Sequence, residues 1–245
     1  MHDNLNIAIR AAKKAGEKLK ENLKNDIKIN SSIDKDIKLQ SDLDSEKIVF
    51  DIISEESSYS ILSEEFGFLE KSKANNYRWI IDPLDGSLNY SRTIFINCIS
   101  IALWKGDKPI LGVIYDFIHD DLYTGIVGGR AELNGMPIYT SKFENKCDSI
   151  LCTGFPVYSD FDTDSLNTFI SEIQDFKKVR LLGSAAISLS LVAKGAIEAY
   201  KENNIAIWDV AAGIPIILAA GGKCVYIVGK GKNYFNVYAY NGVLK

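Results

Sequence analysis

Two aspartates, Asp82 and Asp85, stand three residues apart in WIIDPLDGSLNY (residues 79–90), where an apolar run meets proline and glycine. Trp79, Ile80 and Ile81 read as a buried strand, and the aspartates follow where the chain leaves it. Asp, Pro and Gly form turns, so a tight turn is one explanation. A cation site is the other, because neighbouring carboxylates repel unless positive charge lies between them. Further acids sit against apolar segments in the same way: Asp42 in QSDLDSE, Glu64 and Glu65 in LSEEFG, and Asp209 in AIWDVAAG. Taken singly, Asp42 and Asp209 are good helix caps, and the two glutamates are ordinary solvated loop acids. Taken together, Glu64, Asp82 and Asp209 end or directly follow apolar segments and so project from rigid scaffold. An oxygen-only set of this kind suits Mg²⁺, which binds a few carboxylates and leaves positions for water and phosphate.

Other chemistries have little to work with. The chain has two histidines, His2 beside the N-terminus and His119 in the turn-like DFIHDD, so a Ser-His-Asp triad or a histidine-rich metal centre has no second partner. Cys98, Cys147, Cys152 and Cys224 show no CxxC pairing or zinc-ligand spacing, and read as reduced thiols in a cytoplasmic protein. The net charge of −4 argues against a general nucleic-acid binder, which needs a basic face. The apolar runs are interrupted, for example by Asp209 and Pro215, which argues against a membrane span, and no signal peptide is evident.

At 245 residues and 47% hydrophobic content, the chain can bury a large core. The elements that must position the acids follow from periodicity. Helical spacing predicts helices over 4–24, 43–57, 164–176, 184–195 and 209–222, the last ended by Gly221 and Gly222. Asp42 stands at the entrance of the second. Residues 24–42 read as a loop or weak hairpin. Strands are expected over 59–67, in several turns of a strand-rich region from 98 to 141, and over 149–155, 196–202 and 224–229. The expectation is one domain over 1–245, with soft lobes 1–143 and 144–245, in layers of sheet and helix.

DPLDGSLN, with SEE upstream and WDVAAG…AAGG downstream, resembles the inositol monophosphatase family of Mg²⁺-dependent phosphatases over nearly the whole chain. LNGMPI resembles the family's turn after the central strands, and VRLLGSAA its substrate loop. The resemblance implies an α/β (α+β) fold, a layered αβαβα sandwich of the sugar-phosphatase type. It implies two to three Mg²⁺ ions: Glu64, Asp82 and the Leu84 carbonyl hold the first, Asp82, Asp85 and Asp209 the second, and Glu64 helps to position a weaker third. Asp42, Glu64, Asp85 and Ser87 form the implied catalytic set, in which Asp42 and Ser87 orient and deprotonate the attacking water. The Gly86 and Ser87 amides receive phosphate oxygens. Ser184, Ala185 and Glu202 contact the alcohol part of the substrate, and Asp209 lies near the leaving oxygen. An exposed strand-end glutamate is the bland alternative for Glu202.

The implied activity is hydrolysis of a small phosphorylated polyol or sugar, inositol monophosphate-like, by a lithium-sensitive homodimer. No nucleic acid or membrane partner is expected. Fructose 1,6-bisphosphatase, histidinol-phosphatase, 3′-phosphoadenosine 5′-phosphate phosphatase and a catalytically silent metal-binding regulator are the alternatives. Nucleotidase-like members carry DPLDGTKEF, whereas Leu88, Asn89 and Tyr90 follow Ser87 here, which tilts against the adenine nucleotide. SEEFG with DPLDGS also resembles members accepting both inositol monophosphate and fructose bisphosphate. Lys38, Leu39, Gln40 and Ser41 depart from the family's VT.AD spelling in the 31–42 loop that would position a third ion.

Overall fold

Alternation along three central strands divides the interior in two. In the computed structural model, Trp79, Ile81, Ile99, Ile101, Leu111 and Val113 face one apolar cluster, whereas Ile80, Cys98, Ala102, Trp104 and Ile114 face another. A strand covered on both faces reads as a continuous apolar run, as WII does. The structure describes residues 2–25, 27–33, 36–71, 76–155, 162–231 and 233–245, with only the backbone at Ile33 and Asp36.

In chain order the elements are α1 (His2–Asn22), β1 (Ile29–Ile33), β2 (Asp36–Leu39), α2 (Gln40–Glu56), β3 (Ser60–Ser63), β4 (Gly67–Leu69) and β5 (Tyr77–Asp85). Next come α3 (Ser87–Ser91), β6 (Cys98–Lys105), β7 (Lys108–Asp116), β8 (Asp121–Ile126), β9 (Ala131–Leu133), β10 (Met136–Pro137) and β11 (Ile150–Thr153). The remainder is α4 (Thr163–Ile173), β12 (Lys178–Arg180), α5 (Ala185–Ala193), β13 (Ala199–Ala206), α6 (Ile207–Val210), α7 (Gly213–Ala219), β14 (Lys223–Val228) and β15 (Tyr234–Tyr240).

An eight-stranded sheet runs β10-β9-β8-β7-β6-β5-β3-β4, a five-stranded sheet runs β12-β11-β13-β15-β14, and β1 pairs with β2 alone. Helices α1 and α2 cover one face of the larger sheet; α5, α6 and α7 lie between the two sheets. Helix α4 lies beyond the smaller sheet, where Glu172 pairs with Lys201 of β13 at 2.6 Å. This is the expected αβαβα layering.

Local boundaries differ from the pattern reading. The 24–42 stretch contains the antiparallel β1–β2 hairpin, with residues 34 and 35 outside the described set. Helix α2 begins at Gln40, so Asp42 lies within its first turn. The strand expected over 59–67 is β3, a turn, and the start of β4. The short β12 and the aromatic-rich β15 were not anticipated. The helix expected over 209–222 is two, α6 and α7. Proline 215 has no N–H to give the Ala211 carbonyl four residues back. That carbonyl instead accepts from Trp104 Nε1 at 3.0 Å, and the Trp208 carbonyl accepts from Ser100 Oγ at 3.2 Å. Strand β6 therefore holds the broken helix in place.

Close approach of α7 to the sheet requires glycine. Gly112 and Gly125 lie opposite one another on β7 and β8; a Cβ at Gly112 would sit 2.1 Å from the Ala212 carbonyl oxygen, and one at Gly125 2.6 Å from Ile216 Cα. Both obstacles are backbone atoms, so relief means moving the helix. Gly112→Ala should therefore destabilise the protein by about 1–3 kcal/mol, the usual cost of overpacking a core. Urea unfolding measures this, and an unchanged midpoint and slope would show that the α7 contact is slack.

Candidate active site

Asp82 and Asp85 both remain on β5; the chain does not leave the strand between them. Asp82 lies opposite Ser100 and Asp85 opposite Cys98 on β6, so three steps along β5 match two along its partner. Residues three apart on a straight strand point to opposite faces. The extra residue makes a bulge that turns both carboxylates to the same face, the one covered by α6. Asp209 enters from α6. One ligand oxygen from each of Asp82, Asp85 and Asp209 lies within 4.8 Å of the other two.

Neighbouring groups fix these carboxylates. Asp82 Oδ1 accepts from the Leu84 amide at 3.0 Å. Asp85 Oδ2 accepts from Ser184 Oγ at 2.6 Å and from the Ala186 amide at 2.7 Å. Ser184 also caps α5 by accepting from the Ile187 amide. Gly86 adopts a left-handed backbone with φ of 89° and starts α3. A side chain there would be strained and would meet the Ile96 carbonyl at 2.8 Å. Ser87 Oγ lies 2.8 Å from Asp42 Oδ1 and 2.9 Å from the Leu84 carbonyl, and its single proton serves one of them at a time.

The electrostatics follow from burial and crowding. Burial, then the Asp85 charge, pushes the Asp82 and Asp209 carboxyls well above the usual range. Burial raises Asp85 to about 6 against the lowering effect of Ser184 and the Ala186 amide. Burial also raises Asp42 to about 7, opposed by the Leu39 amide and Ser87 hydroxyl. Glu64 is raised well above its usual range by burial, Asp82 and Asp42. A hard cation reverses this cost, and an oxygen-only donor set fits one.

Glu64, Asp85 and Asp209 line a cavity of about 440 Å³ together with Glu202, Tyr200 and Asn204. Glu64 lies in the turn after β3, outside the close trio. Ser184 and Ala185 also line the cavity, although the Ser184 hydroxyl is directed to Asp85. Glu202 is buried, not an exposed strand end: it accepts from the Tyr200 hydroxyl at 2.8 Å, and burial raises it to about 7. Asp209 makes no capping hydrogen bond, and Ala206 holds the cap position of α6, so the cap explanation fails there. Asp42 serves both readings at once, because its other oxygen accepts from the Leu39 amide at 2.6 Å. His119 pairs with Asp116 outside the cavity. All four cysteines are free.

Sequence reasoning missed Lys38, Ser45 and Glu46. Lys38 lines the cavity and pairs with Glu65 at 2.7 Å. Ser45 and Glu46 are buried on α2 and touch the backbone that carries the acids. Their signal was present: polar residues at three- and four-residue spacing from Asp42, on the face where an amphipathic helix places apolar ones.

The inositol monophosphatase family matches residues 1–242. Nus factor SuhB of Pasteurella multocida (strain Pm70) is 33% identical over 229 residues, 91% of this chain and 84% of that protein. Inositol-1-monophosphatase of Mesorhizobium japonicum (strain LMG 29417 / CECT 9101 / MAFF 303099) is 32% identical over 225 residues, 89% and 83% of the two chains. Among solved structures, inositol monophosphatase from Anabaena (Nostoc) sp. PCC 7120 superposes with a TM-score of 0.83 at 34% identity, covering 99% of this chain and 92% of that one. The extragenic suppressor protein suhB from Bartonella henselae superposes with a TM-score of 0.87 at 29% identity, covering 98% and 95%. With the family matched over residues 1–242 and the fold shared with its solved structures, the chain belongs to the inositol monophosphatase family.

Proposed function

We propose that the protein is a Mg²⁺-dependent phosphomonoesterase that hydrolyses the monophosphate of a small polyol, inositol monophosphate or a close analogue, to alcohol and phosphate. The observation that carries this is the convergent trio of buried Asp82 and Asp85 with half-buried Asp209, beside the hydrogen-bonded Asp42–Ser87 pair. Two to three Mg²⁺ ions, held by Glu64, Asp82, the Leu84 carbonyl, Asp85 and Asp209, would neutralise the carboxylates and stabilise charge developing on the phosphoryl group. Ser87 Oγ orients the attacking water and passes its proton to Asp42 Oδ1. A carboxyl raised to about 7 is suited to that transfer at neutral pH. The water oxygen bonds to phosphorus, the phosphorus–alkoxy bond breaks, the leaving oxygen near Asp209 takes a proton from a neighbouring water, and Asp42 returns the proton it received to solvent. The Gly86 and Ser87 amides, free of helix partners at the start of α3, receive phosphate oxygens.

The remaining lining of the cavity supports a neutral polyol. Glu202 and Asn204 offer polar partners for hydroxyls, and Lys38, paired with Glu65, is the only basic residue among the described residues lining the cavity. A second phosphate in this cavity would meet the Glu202 carboxylate, which argues against a bisphosphate substrate. A homodimer in the cytoplasm belongs to the same reading; among the described residues, no helix is long and apolar enough to cross a membrane.

The name Nus factor SuhB carried by several relatives supports a second reading, a binding factor whose role does not depend on turnover. On that reading the expectation of no nucleic-acid partner does not carry over.

Inorganic phosphate should appear from inositol monophosphate with Mg²⁺, stop with a chelator, and form more slowly from fructose 1,6-bisphosphate. No release from any phosphorylated polyol, sugar or nucleotide at high enzyme concentration would favour the factor reading. Ser87→Ala should lower kcat by about 10²–10⁴ with a smaller change in KM, because water positioning acts mainly in the transition state. An unchanged kcat would remove Ser87 from the reaction.

Metal removal tests the cradle itself. Asp82, Asp85 and Asp209 have folded-state pKa values above their unfolded ones, so the stability they contribute is fully present below about pH 4 and is lost as pH rises through the folded values. Other groups titrate in the acid range, so the informative window is about pH 5 to about pH 8, around the Asp85 value of about 6. Metal-free protein should melt progressively lower across that window, and Mg²⁺ should restore the loss. Asp209→Asn should flatten the metal-free profile and shrink the Mg²⁺-induced rise in Tm, because stabilisation follows affinity for the folded state. An Asp209→Asn protein with wild-type profiles would end the metal-site reading.

A further inference from the structure

One face of α2 carries three buried polar residues at i, i+3 and i+4: Asp42, Ser45 and Glu46. Asp42 reaches Ser87. Ser45 Oγ donates to the Pro83 carbonyl at 2.7 Å, inside the bulge between Asp82 and Asp85. Glu46 Oε1 accepts from Ser63 Oγ and from the amides of Glu65 at 3.0 Å and Phe66 at 3.1 Å. These donors flank Glu64 on both sides, and the Glu64 amide itself donates to the Ile81 carbonyl at 3.3 Å. The turn carrying Glu64 is thus held at every residue from 63 to 66.

From this arrangement we propose that Glu46, seconded by Ser45, is a positioning residue that holds the Glu64 turn and the Asp82–Asp85 bulge at one fixed separation. Glu46 is fully buried, and its Oε2 atom has no hydrogen-bond partner among the described residues. A buried carboxylate with one oxygen unpaired costs stability. What the carboxylate provides is order in the backbone from which ligand oxygens project, and such supporting shells govern the affinity of a metal site. Strand pairing cannot do this alone: β3 ends at Ser63, and the next three residues form a turn.

The consequence for cation binding rests on the metal-site reading of Glu64; the positioning itself does not. The test uses the full chain with Glu46→Leu, which removes the acceptor, Glu46→Gln, which keeps it, and Glu46→Asp, which is one methylene too short to reach both amides. Two quantities are measured: hydrogen exchange at the Glu65 and Phe66 amides without metal, and the Mg²⁺ concentration giving half of the maximal rise in Tm. Glu46→Leu and Glu46→Asp should speed exchange at both amides and raise the Mg²⁺ requirement by about 10–100-fold. Glu46→Gln should stay within about threefold of wild type in both, well short of that range. If Glu46→Leu does not fold, Glu46→Asp decides by the same readouts. A lower Tm with wild-type exchange and Mg²⁺ requirement would overturn the proposal in favour of a merely structural role. A Glu46→Gln protein as impaired as Glu46→Asp would overturn it too, since the acceptor geometry would then not be the cause. A wild type without any Mg²⁺ response would instead overturn the metal-site reading, and the exchange data would still judge the positioning.

Discussion

Mutual repulsion among three carboxylates, two buried and one half-buried, is the constraint around which the structure is arranged. Asp82, Asp85 and Asp209 offer oxygens within 4.8 Å of one another in a site largely removed from water. Left to relax, such groups would separate or take up protons. Each is denied separation by a different device. The β5 bulge fixes Asp82 and Asp85 to one face, the Ser184 hydroxyl and Ala186 amide hold Asp85, and β6 holds the segment bearing Asp209 through Ser100 and Trp104. Rigid convergence of oxygens that repel is unfavourable for an empty fold and favourable for one that binds a hard cation.

The layers around this centre follow from the same requirement. Helices α5, α6 and α7 lie between two sheets, so their ends can reach the bulge from above while their apolar faces remain covered. Glycines at 112 and 125 let α7 approach the larger sheet closely. On the opposite face, α2 trades part of its apolar stripe for Asp42, Ser45 and Glu46, which bond to the three segments carrying Ser87, the Asp82–Asp85 pair and Glu64. The catalytic reading and the factor reading meet here without conflict. The acids concern the cavity, while a macromolecular partner would be recognised by the surface, and one fold can support both.

Sequence alone determined the acidic set and the broad layering, because both rest on local features. Apolar runs bounded by Asp, Pro and Gly mark where a rigid strand presents side chains, and helical or alternating periodicity marks which faces are covered. Asp42, Glu64, Asp82, Asp85, Ser87 and Asp209 were legible for that reason, together with the family resemblance carried by DPLDGS and WDVAAG. Their convergence was not. That Asp82 and Asp85 share a face depends on a bulge defined by register against β6, a strand that begins thirteen residues after Asp85. The split between α6 and α7 depends on Trp104 taking a carbonyl more than a hundred residues away. For Glu202 the sequence left an exposed strand-end acid open as the alternative to a substrate contact, and burial beside Tyr200 excludes that alternative. Glu46 looked like one more charge on a helix, and only tertiary structure placed the Glu64 turn against it. Local pattern reports what a side chain is and which way its own element turns it; distance, burial and partner come from segments remote in sequence, and those alone decide whether a carboxylate is a cap, a solvated charge or a ligand.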